Sequence, residues 1–124
     1  MLIALDFSAV LSSWPLLVRG VVWTIGLTVV GTVLGLLLGT LCAWARARNL
    51  GPRALPLRWL VASYVELVRN TPFIVQLFFL FFGLPALGVK LSPELASVLA
   101  MVINLGAYSA EIIRAGIEAT PRGQ

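Results

Sequence analysis

The sequence predicts an all-α membrane protein with three transmembrane helices and its N-terminus outside. Three observations carry that expectation. The 124-residue chain is 60% hydrophobic and only 11% charged, with a mean hydropathy of +0.99. A soluble domain carries about 25% charged residues, so this chain lacks the polar groups to cover itself in water and a bilayer is its natural solvent. Uncharged runs recur at 20–45, 70–89 and 95–110, separated by turns that hold proline and glycine. The basic residues are shared unevenly between those turns, and that asymmetry sets an orientation.

The same composition excludes other classes. The formal charge of +4 comes from basic residues beside apolar runs, without a basic stripe interleaved with aromatics, so no nucleic-acid partner is expected. There is one cysteine, Cys42, and no histidine. An internal disulfide is therefore impossible and a Cys/His metal site has no ligand set. Cys42 reads as a small buried hydrophobe. A lipoprotein cleavage site there is disfavoured, because Leu41 stands where a small residue is wanted.

In chain order, residues 1–19 form the outer N-terminal segment, with Asp6, Ser12 and Ser13 and no basic n-region of a signal peptide. Trp14 and Pro15 suit an interfacial approach to the first span. Residues 20–45 carry no charge, and Arg19 and Arg46 close the run. That length gives roughly 39 Å of helix, enough to cross a core of about 30 Å with some tilt. Gly31, Gly35 and Gly39 are four apart, as are Thr24, Thr28 and Thr32. Small residues at this spacing predict a face for close helix packing.

Residues 46–58 make a loop with four arginines, two prolines and no acid. The positive-inside rule puts this loop in the cytoplasm. With that topology seven basic residues fall inside (Arg46, Arg48, Arg53, Arg58, Arg69, Arg114, Arg122) and two outside (Arg19, Lys90). The second span is expected at 59–84. Thr71 and Pro72 interrupt it, either as a kink or as a break with Thr71 as N-cap and Pro72 in the first helical position. Either way carbonyls near Val68 and Arg69 are freed and must find new partners. Residues 85–93 are the outer turn. Ser92-Pro93-Glu94 then reads as a helix start with cap, first-turn proline and first-turn acid. The third span covers 94–114. Its second half, with Asn104, Gly106, Tyr108 and Ser109, is too polar and too small for a helix facing lipid. Pro121 and Gly123 signal a turn in the closing residues 115–124.

The segments ELVRNTPFIVQLFFLFFGLP and LSPELASVLAMVINLGAYSAEIIRAGIEATPRGQ together carry a dense set of motifs. They are E-x-x-R-x-TP, QL with a following LP, N-x-G-AY-x-AE-x-x-R-x-GI, and P-x-GQ. On these, Val18 to Gln124 resembles the permease subunit of bacterial ABC importers for polar amino acids, in the histidine, glutamine, glutamate, arginine and opine branch. The resemblance implies a type I importer permease of five spans in the cell inner membrane, N-terminus in the periplasm. It implies a second permease subunit, identical or similar, and cytoplasmic ATP-binding subunits. It also implies an extracytoplasmic amino-acid-binding protein. In the family a coupling loop continues from P-x-GQ into an E-A-A motif, so this chain is expected to be an N-terminal fragment of the bundle. Residues 115–124 would begin that loop, with Glu118, Pro121, Gly123 and Gln124 as the approach to the ATPase. Two readings compete with this one. The chain could be a short three-span membrane interaction subunit, or part of an ABC permease for another small solute.

The candidate site residues follow from buried polarity. Asn104 offers two donors and an acceptor near mid-membrane and suits a zwitterionic amino acid; an interhelical bond is its structural alternative. Tyr108 lies one turn on, either lining the same cavity or sitting at the interface. Gln76 is the one strongly polar side chain in the second apolar run and is a third pathway candidate. Glu66 with Arg69, and Glu111 with Arg114, are spaced three apart at the inner helix feet and are expected to pair and move together during gating, with direct substrate binding as the alternative. Arg69 is also placed to cap freed carbonyls beside Pro72. No residue set suggests covalent catalysis or a metal. No phosphate-binding glycine loop is present, so ATP would be bound by the partner subunit and no cofactor by this chain.

Overall fold

The fold is described from a computed structural model covering residues 4–48 and 51–123, so the expectation placed on Gln124 lies outside the described residues. Among them every regular element is helical. A short helix α1 (Ser8–Ser12) is started by the Asp6 carboxylate, which accepts a bond from the Ser8 N–H at 2.9 Å. Hydrogen bonding from Ser8 holds this exposed carboxyl below its ordinary range. Helix α2 (Trp14–Ala47) follows at once. It begins before the uncharged run because helix-start chemistry, with Pro15 in the first turn, sets the boundary; Arg19 therefore lies inside the helix.

Helix α2 is apolar all round, and its large side chains point outward. Its buried positions are small: Gly31, Gly35, Gly39, Cys42, Ala43 and Ala45. The predicted glycine row is thus the packing face. Opposite it runs α6 (Pro93–Ala119), with Met101 over Gly31, Leu105 over Gly35 and Ser109 over Gly39. The numbers climb together, so α2 and α6 run parallel. The approach is closest at Gly39, where an added Cβ would lie 2.9 Å from both the Ala110 nitrogen and the Gly106 oxygen. Thr24 and Thr28 take no part in it. They are exposed and return their hydroxyls to the carbonyls of Gly20 and Thr24.

Gly51 adopts a φ of 81°, in the left-handed region open to glycine, and turns the chain into a 3-10 turn (Pro52–Ala54) and α3 (Leu55–Arg69). Val61, Val65 and Val68 form the buried face of α3. Val61 and Val65, with Ala110, pack around Cys42, which is buried as a small apolar residue. The Tyr64 hydroxyl donates to the Ile103 carbonyl at 2.5 Å and ties α3 to α6.

The second span is not one straight helix. Of the two readings of Thr71-Pro72 the structure takes the break, with a changed geometry. Helix α3 ends at Arg69, and a second piece runs through α4 (Phe73–Phe78), a wide π turn (Phe79–Gly83) and α5 (Leu84–Ala86). The two halves meet at 107°. Pro72 is the N-cap residue of α4, with ψ 141°, rather than its first helical residue. Thr71 does not cap α4; its hydroxyl turns back to the Leu67 carbonyl at 2.7 Å. The π turn lies just before Pro85, whose ring would crowd the carbonyl four residues back in an ordinary α turn.

Helix α6 starts as its sequence predicts, with the Ser92 hydroxyl accepting from the Leu95 N–H, Pro93 in the first turn and Glu94 behind it. It runs to Ala119, five residues past the predicted end of the third span. The reason is an added i,i+4 ion pair, Arg114 to Glu118, which carries the helix through Gly116. Two helices, α2 and α6, are long and apolar enough to cross a membrane, and there are three spans if the bent pair counts as one.

Candidate functional site

A polar cleft of about 430 Å³ opens where the feet of α2, α3 and α6 converge. Helix α2 supplies Arg46, α3 supplies Glu66 and Arg69, and α6 supplies Tyr108, Glu111 and Arg114. On α6 the residues Asn104, Tyr108 and Glu111 follow the i, i+4, i+7 rule, so one stripe faces the bend and the cleft. Asn70, the C-cap of α3, completes the wall.

The charges here are only partly paired as the spacing predicts. Glu111 and Arg114 do pair, through two bonds of 2.5 and 3.2 Å. Arg114 also holds Glu118 at 2.6 Å, so this candidate for the ATPase approach is drawn into an ion pair on its own helix. Glu66 and Arg69 make no ion pair among the described residues. Arg69 ends α3 and instead spreads toward the Tyr108 ring, 6.0 Å from its centroid. Sequence reasoning missed Arg46 as a member of this group. Its guanidinium lies 3.6 Å from Glu111 and links α2 to α6. The signal was present, since Arg46 closes the long uncharged run at the same level as the other helix feet.

Above the cleft, the break in the second span is sealed by side chains. The Gln76 amide donates to the Val68 carbonyl at 3.0 Å and to the Thr71 carbonyl at 2.9 Å. Gln76 therefore staples the end of α3 to the start of α4. The task assigned to Arg69, capping freed carbonyls, falls to Gln76 and to Tyr108, whose hydroxyl donates to the Arg69 carbonyl at 3.4 Å. Asn104 Nδ2 donates to Gln76 Oε1, also at 3.4 Å. Asn104, Gln76 and Tyr108 thus come together as a network about the bend, with Asn104 making the interhelical bond that was its structural alternative. Among the described residues Asn104 Oδ1 and its second Nδ2 hydrogen have no protein partner, and the Tyr108 hydroxyl oxygen accepts no bond, so these groups keep capacity toward a ligand. Pro121 and Gly123 are exposed beyond the helix, and Gly123 takes a φ of 108°.

The cleft's chemistry is that of an amphoteric site, with three guanidinium groups (Arg46, Arg69, Arg114), two carboxylates (Glu66, Glu111) and the Asn70 amide facing one hollow. It could hold a small zwitterion or pass one along. The fold that carries it has known counterparts. The crystal structure of an amino acid ABC transporter with histidines matches 98% of this chain, and 55% of its own, with a TM-score of 0.86 and 35% identity.

The chain is homologous to amino-acid ABC transporter permeases.

Curated permeases agree with that likeness. The L-cystine transport system permease protein TcyB of Bacillus subtilis is 42% identical over 91% of this chain and 47% of its own length. The arginine transport system permease protein ArtQ of the same organism is 36% identical over 97% of this chain and 53% of its own. The glutamine transport system permease protein GlnP of Escherichia coli is 32% identical over 95% of this chain and 53% of its own. The chain spans about half the length of the curated permeases it matches. No protein-family model matches it. Like these permeases, the chain is an integral membrane protein. The structural match takes in nearly all of it, so the bend at Pro72 lies within the shared fold.

Proposed function

We propose that this chain forms part of the permease subunit of an ATP-driven amino-acid uptake system in the bacterial inner membrane. One observation supports the reading above the rest. A chain homologous to amino-acid permeases brings its polar side chains together at a single bend between membrane helices. In this reading the second span crosses as a bent pair and the N-terminus lies outside. The cleft faces the cytoplasm, since Arg46, Arg69 and Arg114 share its wall with the basic loop close by. The permease performs no covalent chemistry. ATP binding closes a pair of cytoplasmic ATPase subunits, and the closure is passed to this permease and a second one through loops at the helix feet. An extracytoplasmic binding protein delivers the amino acid. The permease contributes a path and two states, and the nucleotide cycle biases them.

The test is ATP-dependent uptake of labelled cystine, arginine and glutamine by proteoliposomes that hold the complete operon products. Uptake of at least one is expected. Absence of any amino-acid uptake removes the reading. In the same assay Asn104→Ala is expected to lower the uptake rate about ten-fold, the scale of one lost hydrogen bond to a charged group, while membrane insertion is kept. Unchanged kinetics would take Asn104 out of the pathway.

A further inference from the structure

Two neighbouring hollows beside the end of α2 share the same two arginines. One, of about 320 Å³, lies against the foot of α6 and is lined by Arg46, Arg58, Arg114, Ile117 and Glu118. The other, of about 440 Å³, runs along α3 past Arg46, Leu55, Arg58 and Trp59, with Glu66 on its wall. Together the two hollows hold three arginines against two carboxylates, Glu118 and Glu66, the latter in no ion pair among the described residues, a net excess of one positive charge. Arg114 and Glu118 neutralise each other at 2.6 Å. Arg46 reaches Glu111 only at 3.6 Å, and Glu111 is already held by Arg114. Arg58 has no carboxylate within ion-pair distance among the described residues, and the segment 46–58 contains no acid.

Apolar side chains on α3 share the second hollow with these charges and face outward: Leu55 is 54% and Trp59 70% exposed. Trp44, on α2 before Arg46, is 50% exposed. The Arg48 guanidinium lies over the Trp44 ring at 5.1 Å. Outward indoles beside Arg58, which is in no ion pair among the described residues, and the weakly paired Arg46, at the end of a long apolar helix, mark the level of the bilayer interface. A free oxyanion would use the arginines and leave the apolar wall bare. A ligand with an anionic head and an apolar body uses both. Guanidinium is the side chain best matched to phosphate, because its fork donates two parallel bonds.

We propose that Arg46 and Arg58 hold the phosphate of an anionic phospholipid whose acyl chains run along Leu55 and Trp59. The site would anchor the junction of α2 and α3 to the leaflet on the basic side. The inference rests on bilayer insertion of this chain and is independent of transport.

The test offers the full chain, in detergent micelles, equimolar phosphatidylglycerol and phosphatidylcholine, and counts retained lipid by native mass spectrometry. Preferential retention of phosphatidylglycerol is expected. The double variant R46Q/R58Q should reduce that preference by more than about ten-fold, since each arginine near a charged lipid surface contributes about five-fold. Arg58→Gln alone leaves the Arg46–Glu111 contact in place and should lower the preference about five-fold at unchanged helix content by circular dichroism. Arg19→Gln with Lys90→Gln removes the same charge elsewhere and should leave the preference intact. The assignment is overturned if the unaltered chain shows no preference, or if Arg58→Gln keeps it. Equal loss in the Arg19/Lys90 variant would reduce it to net charge. Displacement of the lipid by excess inorganic phosphate would assign the arginines to a free oxyanion instead.

Discussion

Gln76 shows how a single side chain can decide a local fold. Pro72 ends one helix and begins another, and that strips carbonyls of their helical partners in an apolar setting, although the Val68 carbonyl still accepts from the Thr71 N–H at 3.2 Å. The Gln76 amide has two hydrogens, and both are used on the Val68 and Thr71 carbonyls. Its oxygen then accepts from Asn104. Gln76→Ala should therefore destabilise the chain by about 1–3 kcal/mol, the cost of leaving such groups unsatisfied, as read by thermal unfolding in detergent. Gln76→Glu keeps the size and the acceptor but loses both donors, so it should be at least as damaging. Full stability of Gln76→Glu would show that the two carbonyls do not need the staple. The sequence singled out Gln76, Asn104 and Tyr108 because polar side chains are rare in such a run. It could not show that they meet, because Gln76 and Asn104 are brought together only by the fold of α4 against α6.

At the scale of elements, the contact between α2 and α6 is made by absence of side chain. The spacing of Gly31, Gly35 and Gly39 pointed to this face, because residues four apart share one side of a helix and glycine there lets another helix approach. The threonine row at the same spacing was not distinguishable from it by sequence, since threonine can satisfy its hydroxyl on its own helix. The three glycines should not be equal. At Gly31 a new Cβ meets the Met101 side chain, whose flexible end can yield. At Gly39 it meets backbone atoms of α6 and the Ser109 hydroxyl, which are fixed. Gly39→Ala is expected to cost about 1–3 kcal/mol, the range for overpacking, and Gly31→Ala less than about 1 kcal/mol. Thermal melts of both variants in one detergent check the order; equal melting temperatures would contradict it. The long α6 was also under-read from sequence. The uncharged run stops at Ala110, yet the helix continues to Ala119, because ion pairs at three and four residues support it where hydrophobicity does not.

For the whole molecule, the basic loop and the polar cleft lie toward one end of the bundle. A cysteine placed at 51–57, in a chain with Cys42→Ala, should resist an impermeant thiol reagent in intact cells and react after permeabilisation. Labelling in intact cells would reverse the orientation. The all-helical class and the positions of the apolar runs were legible because hydrophobic length and charge are local properties. The sharp bend of the second span was legible only as a breaker, since an angle of 107° is set by what α4 packs against. The pairing of Glu66 with Arg69 was misread for a related reason. Spacing permits that pair, but Arg69 ends its helix and finds Tyr108 on another element.

The glycine stripe also divides the molecule mechanically. At Gly39 the two backbones come into direct contact, and at Gly31 and Gly35 the Met101 and Leu105 side chains fill the seam, so α2 and α6 pack as one beam. The arm formed by α3 and α4 is joined to that beam through valines, the short Tyr64–Ile103 hydrogen bond and two longer ones at 3.4 Å. A displacement of the foot of α6 would be carried along both helices, and the joint beside Pro72 would meet it through the Gln76 staple.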